Sequence, residues 1–276
     1  MRLMNTKSLE KDIPNQTALE KVVWSESQDF NAKSIVAFQT TRIAPADVTS
    51  CSNNPYNAFN LGLHVKDNPL IVEKNRDALL SFLPTSSSIQ WLNQVHGNKV
   101  IEVTSVTNSP ITADAVITRE KHLALAVMTA DCLPILLSDG QGKVIGAIHG
   151  GWRPLAADII KITVQKMNID PSKTFAWLGP CIGPKHFEVG EEVKDIFCQN
   201  SPEFETAFSL KKLESQNKSV KKYLADLQEI ATIQLNTLGV KHINALKECT
   251  YQHNDKYYSY RKSSITGRMA SVICIK

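Results

Sequence analysis

The sequence predicts an α+β fold: a single domain with a mixed β-sheet core flanked by helices. Three observations carry that prediction. Short apolar, β-branched runs recur from residue 34 to the C-terminus. A few other segments repeat their apolar residues at helical spacing. The two kinds do not alternate regularly, as a parallel βαβ fold would require. The chain has 276 residues and is 42% hydrophobic. It can fill one sizeable core, since single cores stop growing at about 250–300 residues.

Residues 1–30 are polar and rich in Lys, Glu, Asn and Gln, and read as a loosely ordered arm; residues 31–276 form the domain. Residues 34–39, 89–95, 99–103 and 115–118 read as strands from their length and β-branched content. Residues 123–128, 133–137 and 143–149 read as strands buried on both faces, the last two joined by the hairpin turn Ser138-Asp139-Gly140-Gln141-Gly142. From 154 to 167, Ala156, Ile160, Val164 and Met167 share one helical face, with Pro154 suited to the first turn. Residues 174–178 return as a strand. Residues 191–197 and 221–238 are helical, with Gly239 a C-terminal stop for the second. The polar, Lys-rich stretch 209–220 reads as a solvated connector, and 243–246, 257–260 and 270–275 complete the strands.

Charged residues are 21% of the chain and the net charge is +4, too even a balance for a nucleic-acid or membrane-surface protein. The first residues lack the apolar core of a signal peptide. The most apolar stretch, 123–137, is interrupted by Asp131 and Pro134 and is shorter than the roughly 20 residues of a membrane span. A cytoplasmic location is therefore expected. The six cysteines are scattered without a Cys-x-x-Cys pair, as buried reduced thiols would be.

Ligand-type side chains concentrate in four segments rich in Gly and Pro. These are Asn93-Gln94-Val95-His96-Gly97, Thr129-Ala130-Asp131-Cys132-Leu133-Pro134, Ala147-Ile148-His149-Gly150-Gly151-Trp152-Arg153 and Leu178-Gly179-Pro180-Cys181-Ile182-Gly183-Pro184. In the first three, a His or Cys stands at a strand end, where scaffolds present reactive groups. Two imidazoles and a thiolate suit zinc, and three protein ligands leave its fourth position open, as in catalytic sites. His96, Cys132 and His149 are the candidates. They share no local motif such as His-Glu-x-x-His, and inert packing is the alternative on spacing alone.

In this order, those four motifs resemble the YfiH-type family, first labelled laccase-like or polyphenol oxidoreductase and later described as zinc-dependent purine nucleoside phosphorylase. Further matches are Pro55-Tyr56-Asn57-Ala58-Phe59-Asn60-Leu61-Gly62-Leu63-His64-Val65, Phe187-Glu188-Val189-Gly190, and Tyr258-Ser259-Tyr260-Arg261 with Thr266-Gly267-Arg268-Met269. The resemblance spans residues 34–276. It implies a sandwich similar to cysteine-hydrolase folds, with His96, Cys132 and His149 as zinc ligands and as the catalytic centre. It places Arg42, Asn60 and His64 in a loop beside the pocket. The substrates it implies are adenosine, inosine and methylthioadenosine with phosphate, and adenosine with water. Two departures touch substrate preference: Arg42-Ile43-Ala44-Pro45-Ala46 lacks the family's usual paired glycines, and Lys66 replaces a Gly.

Arg42, Arg153, Arg261 and Arg268 are candidates to anchor phosphate through their guanidinium forks. Arg153 joins Arg42, Asn60 and His64 as an expected substrate contact. Asp114 or Asp131 could serve proton transfer, although capping a turn is the commoner use of such a carboxylate. Copper is disfavoured: seven histidines without a His-x-His pair fall short of a multicopper oxidase. Three alternatives stand beside the nucleoside enzyme. One is a metal-free hydrolase with Cys132 as nucleophile and His149 as base. Another is an editing hydrolase of peptidoglycan precursors, the role attributed to bacterial relatives. The third is a closed zinc store with Cys181 as fourth ligand.

Overall fold

The structure, a computed structural model, describes residues 17–46, 48, 52–199, 201–211 and 221–276. Two sheets stack at its centre. The five-stranded sheet runs in the order Leu19–Lys21, Ile35–Thr40, Met269–Ile275, Leu123–Thr129 and Ser88–Gln90. The six-stranded sheet runs His242–Ala245, Phe175–Leu178, Leu133–Ser138, Ile145–Gly150, Ala115–Thr118 and Val100–Glu102. Most neighbours are antiparallel. Ser88–Gln90 on Leu123–Thr129, Val100–Glu102 on Ala115–Thr118, and Phe175–Leu178 on His242–Ala245 are parallel, so both sheets are mixed.

Alternation along each strand sorts side chains into layers. Leu125, Val127 and Ile273 from one sheet meet Val116, Leu136, Ala147 and Trp177 from the other. On the far face of the five-stranded sheet, Ala124, Ala126 and Val272 pack under Leu79 and Phe82, beside the helix Pro69–Ala78. On the far face of the six-stranded sheet, Ile135, Leu137 and Ile148 pack under the helices Ile159–Met167, Glu191–Cys198 and Leu227–Thr237. The result is a helix–sheet–sheet–helix sandwich, as expected. No helix among the described residues is long and apolar enough to cross a membrane.

Several elements differ from expectation. The helix expected over 154–167 is two, Trp152–Ala156 and Ile159–Met167, divided where Asp158 takes a left-handed φ of 60°. The helix expected over 221–238 begins later. Lys222–Ala225 is a strand between Glu188–Gly190 and Phe208–Leu210, and Asp226 caps Leu227–Thr237 by accepting from the Gln228 and Glu229 amides. The strand expected over 89–95 is interrupted at Trp91, giving Ser88–Gln90 and Leu92–Asn93. Residues 257–260, expected as a strand, are an irregular loop, with Tyr257 and Tyr258 buried as its anchors. The helix Pro69–Ala78 was not anticipated, although Asn68 as cap and Pro69 at the first position signal it.

Residues 1–16 of the expected arm lie outside the described residues; within the rest, Leu19–Lys21 pairs antiparallel with Ile35–Thr40. Of the connector over 209–220, residues 212–220 also lie outside them.

Leu136 is fully buried between the sheets. Leu136→Ala is expected to cost about 2–5 kcal/mol in urea unfolding. Leu210→Ala, at a position 60% exposed, is expected to change stability by less than about 0.5 kcal/mol.

Candidate metal centre

Three strand ends and one crossover meet at one end of the sandwich. Leu123–Thr129 leaves the five-stranded sheet, and residues 130–132 carry the chain directly into Leu133–Ser138 of the six-stranded sheet. Asp131 takes a φ of 94° in that crossover, and Cys132 follows. In the adjacent strand His149 pairs with Pro134, and the next strand begins at Ala115, just after Asp114. His96 arrives on the loop after Leu92–Asn93, itself at a left-handed φ of 59°.

The ligand atoms of His96, Cys132 and His149 all lie within 4.8 Å of one another. Cys132 Sγ is 3.7 Å from His96 Nε2. Tetrahedral zinc, with bonds of about 2.0–2.3 Å, needs N and S ligands about 3.5 Å apart, so the donor set fits such an ion. His149 is buried, Cys132 half-buried and His96 exposed, so the group opens towards solvent on the His96 side. Gly151 keeps the space clear: a Cβ there would stand 3.1 Å from His96 Cδ2 and 3.2 Å from Cys132 Sγ.

Asp114 organises this group. Its carboxylate is fully buried and accepts from the main-chain N–H groups of Val95, His96 and Gly97 at 3.2, 2.9 and 2.7 Å. It also accepts from His149 Nδ1 at 2.8 Å. That bond leaves Nε2 for a metal, the usual carboxylate–histidine support of a ligating imidazole. The expectation that Asp114 caps a turn therefore holds, and the turn is the one that carries His96. Burial alone would raise the Asp114 pKa, but bonds from His149 and from the Gly97 and Val95 amides keep it below its ordinary value. Burial likewise opposes charge on Cys132. The His149 and His96 imidazoles overcome that and bring the thiol down to about 6. His149 is itself pushed up to about 9, against its burial, by Cys132 and Asp114. The centre thus favours thiolate, the form that binds metal.

Asp131 ties the crossover to two other loops. Its carboxylate accepts from Thr250 Oγ1 and the Arg261 amide, both at 2.6 Å, and its carbonyl accepts from Ile182 N at 2.9 Å. A pocket of about 540 Å³ takes in His96, Cys132 and His149; its walls also include His64, Gln94, Phe187, Tyr260, Arg261 and Arg268. That volume suits a small organic substrate. A larger cleft of about 940 Å³ between the helices Ile159–Met167 and Leu227–Thr237 has no His or Cys in its walls.

Of the four expected substrate contacts, the structure brings only His64 into this pocket. Arg42 is committed elsewhere: its guanidinium donates to the Asn254 carbonyl at 2.6 Å and the Asn57 carbonyl at 3.2 Å, and packs over Tyr258. Asn60 is fully buried and braces its own loop, accepting from the Gly62 and Arg268 amides and donating to Asp67. Arg153 is exposed and stacks on Trp152. Cys181 is a buried free thiol whose main chain forms an isolated parallel β-bridge with Cys249, apart from the three-residue group. Arg268, Arg261 and Tyr260 stand in the pocket instead. Lys66, where the family usually has Gly, holds a φ of 65°, which explains the preference it departs from.

The family described as "Multi-copper polyphenol oxidoreductase laccase" matches residues 37–276. The chain belongs to this family. It is 39% identical over 241 residues to the purine nucleoside phosphorylase YfiH of Escherichia coli strain K12, covering 87% of this chain and 94% of that protein. A purine nucleoside phosphorylase of Pseudomonas aeruginosa is likewise 39% identical over 241 residues, covering 84% of this chain and 96% of the relative. Among solved structures, a protein of Neisseria meningitidis superposes with a TM-score of 0.81 at 34% identity, covering 93% of this chain and all (100%) of that one. YlmD from Geobacillus stearothermophilus superposes with a TM-score of 0.77 at 28% identity, covering 92% of this chain and 96% of its own. The family thus shares the sandwich over nearly its whole length.

Asp114→Asn keeps the shape but puts an NH2 against main-chain donors. It is expected to weaken metal binding roughly 10–100-fold, read by competition with a chromogenic chelator, and to lower stability by about 1–3 kcal/mol.

Proposed function

We propose that this protein is a zinc-dependent purine nucleoside phosphorylase that also deaminates adenosine. The observation that carries the proposal is the open His96–Cys132–His149 group at the floor of a nucleoside-sized pocket. Its support is the name purine nucleoside phosphorylase carried by relatives that align over most of the chain. The substrates are adenosine, inosine and methylthioadenosine with phosphate, and adenosine with water.

Phosphorolysis breaks the bond from the sugar's anomeric carbon to the purine nitrogen and forms one to a phosphate oxygen; the departing base takes up a proton. His96, Cys132 and His149 would hold the zinc, with Asp114 fixing the His149 tautomer and the His96 loop. Bound there, zinc supplies Lewis acidity and stabilises developing negative charge on oxygen. Tyr260 and Phe187 offer aromatic faces to the base, and His64 a ring N–H to a polar group of the substrate. Copper fits less well. The sulfur of Met128, the methionine lining the pocket, accepts from Arg76 at 3.5 Å and stands outside the ligand group, so the axial thioether of a blue-copper site is missing. Free thiols at Cys132, Cys181, Cys198, Cys249 and Cys274 accord with a reducing, cytoplasmic setting.

One observation favours a second reading. Cys132, His149 and Asp114 are connected in the manner of a Cys–His–Asp hydrolase, with the thiol lowered and the imidazole raised. That reading gives His96 no ligand role. His96→Ala and Cys132→Ala should both release the metal and abolish phosphate-dependent release of base; chelation should do the same, and added zinc should restore it. Activity surviving in His96→Ala and in the chelated protein would assign the chemistry to the thiolate. Release of an amino acid from peptidoglycan precursors, without release of base from nucleosides, would assign it to precursor editing.

A further inference from the structure

We infer that Arg268, seated by Asn60 and Gly62 and joined by His64, forms the phosphate subsite of this pocket. This deepens the phosphorylase reading and rests on it. Arginine recognises phosphate best through two parallel N–H groups on one edge of the guanidinium. In Arg268, Nη1 donates to the Thr266 and Gly267 carbonyls at 3.1 and 2.9 Å. Those two bonds lock the plane of the group. They leave the Nε–Nη2 edge without a hydrogen-bond partner among the described residues, and that edge is a bidentate fork. Arg268 also forms no ion pair among them, although it is half-buried in the wall of the pocket. Its cation stands 5.8 Å from the centroid of the Tyr260 ring, with Cys132 and Asp131 favouring its charge; a partly desolvated fork with no ion-pair partner calls for an anion.

The other arginines do not compete for this role. Arg261 turns its guanidinium to the carbonyls of His186 and Glu188. Arg76 is held by the Leu61 carbonyl and stacks on Trp91 at 4.0 Å. The nearest carboxylate of the pocket, Asp131, already accepts from Thr250 and the Arg261 amide.

The early loop is built around Arg268. Asn60 Oδ1 accepts from the Arg268 amide at 2.8 Å and the Gly62 amide at 2.9 Å, and the Leu61 amide donates to the Arg268 carbonyl at 3.0 Å. Gly62 lies against the arginine stem: a Cβ there would stand 2.8 Å from Arg268 Cγ and 3.4 Å from His64 Cε1. The missing side chain at residue 62 therefore sets how closely arginine and imidazole approach. Asn60 acts through Arg268 as a positioning residue, which accounts for its complete burial. His64 lines the same pocket and can donate a ring N–H to the same anion; burial, then the guanidiniums of Arg268 and Arg76, lower its pKa.

The test is calorimetric titration of inorganic phosphate into the zinc-loaded protein, beside steady-state kinetics and zinc content. Arg268→Gln keeps the main-chain bonds of residue 268 and removes the fork. It should weaken phosphate binding about 10–100-fold and raise the phosphate KM in parallel, with the nucleoside KM and the zinc content near those of the wild type. Arg268→Lys should recover only part of the loss, because a point charge replaces a fork. Gly62→Ala, which leaves every charge in place, should also weaken phosphate binding. Unchanged phosphate affinity in Arg268→Gln, or no phosphate binding by the wild type, would overturn the subsite. Wild-type protein that binds phosphate through Arg268 yet releases no base would leave the subsite standing and reject the phosphorylase reading.

Discussion

The Asp114 carboxylate is the constraint on which the rest of the centre depends. A fully buried carboxylate is costly unless its lone pairs are used, and Asp114 uses them on three consecutive amides and one imidazole. The amides belong to the turn that holds His96 in a left-handed conformation, which a non-glycine residue rarely adopts unaided. The imidazole belongs to the adjacent strand. One side chain thus fixes two candidate ligands that lie 53 residues apart in sequence and come from different elements. The third candidate ligand, Cys132, is placed by the crossover between the two sheets, whose Asp131 is pinned to the 250 and 261 loops. Both carboxylates serve geometry first, and the local charge balance follows from it.

Much of the sandwich is written in alternation and run length. Residues 123–128, 133–137 and 143–149 form strands close to where pattern places them, because burial on both faces leaves no polar register to slip into. Pattern fails where one local signal competes with another. The apolar residues of 154–167 suit one helix, but Asp158 breaks it. Residues 222–225 join a sheet because Glu188–Gly190 and Phe208–Leu210 supply partners, a long-range fact that no window of sequence contains. The cap at Asp226, with Glu229 three residues on, marks the true start of the following helix.

The ligand group was legible because His96, Cys132 and His149 stand at strand ends beside Gly and Pro, and motif order along the chain singled them out. Their surroundings were less so. Arg42 and Asn60 belong to the right loop, yet their side chains are turned into the scaffold, which residue type cannot reveal. Arg153 follows the His149 motif directly in sequence but faces solvent on a helix. Arg268 is one of four arginines that the sequence offers as phosphate anchors without singling it out, and it becomes a pocket residue through Asn60, 208 positions away. The one local clue was a charge flanked by small and apolar residues, Gly267 and Met269, at a strand start; Asp114 between two alanines carries the same clue.

The family's name speaks of copper, its relatives of nucleoside phosphorolysis, and the donor set of an open site with one thiolate and two imidazoles. X-ray absorption at the metal edge of the purified protein tests that centre most directly. The account predicts a zinc edge with one sulfur at about 2.3 Å and the remaining scatterers nitrogen or oxygen at about 2.0–2.1 Å. A metal shell without sulfur, or with more than one, would contradict the assignment of Cys132 and leave the geometry around Asp114 without its ligand.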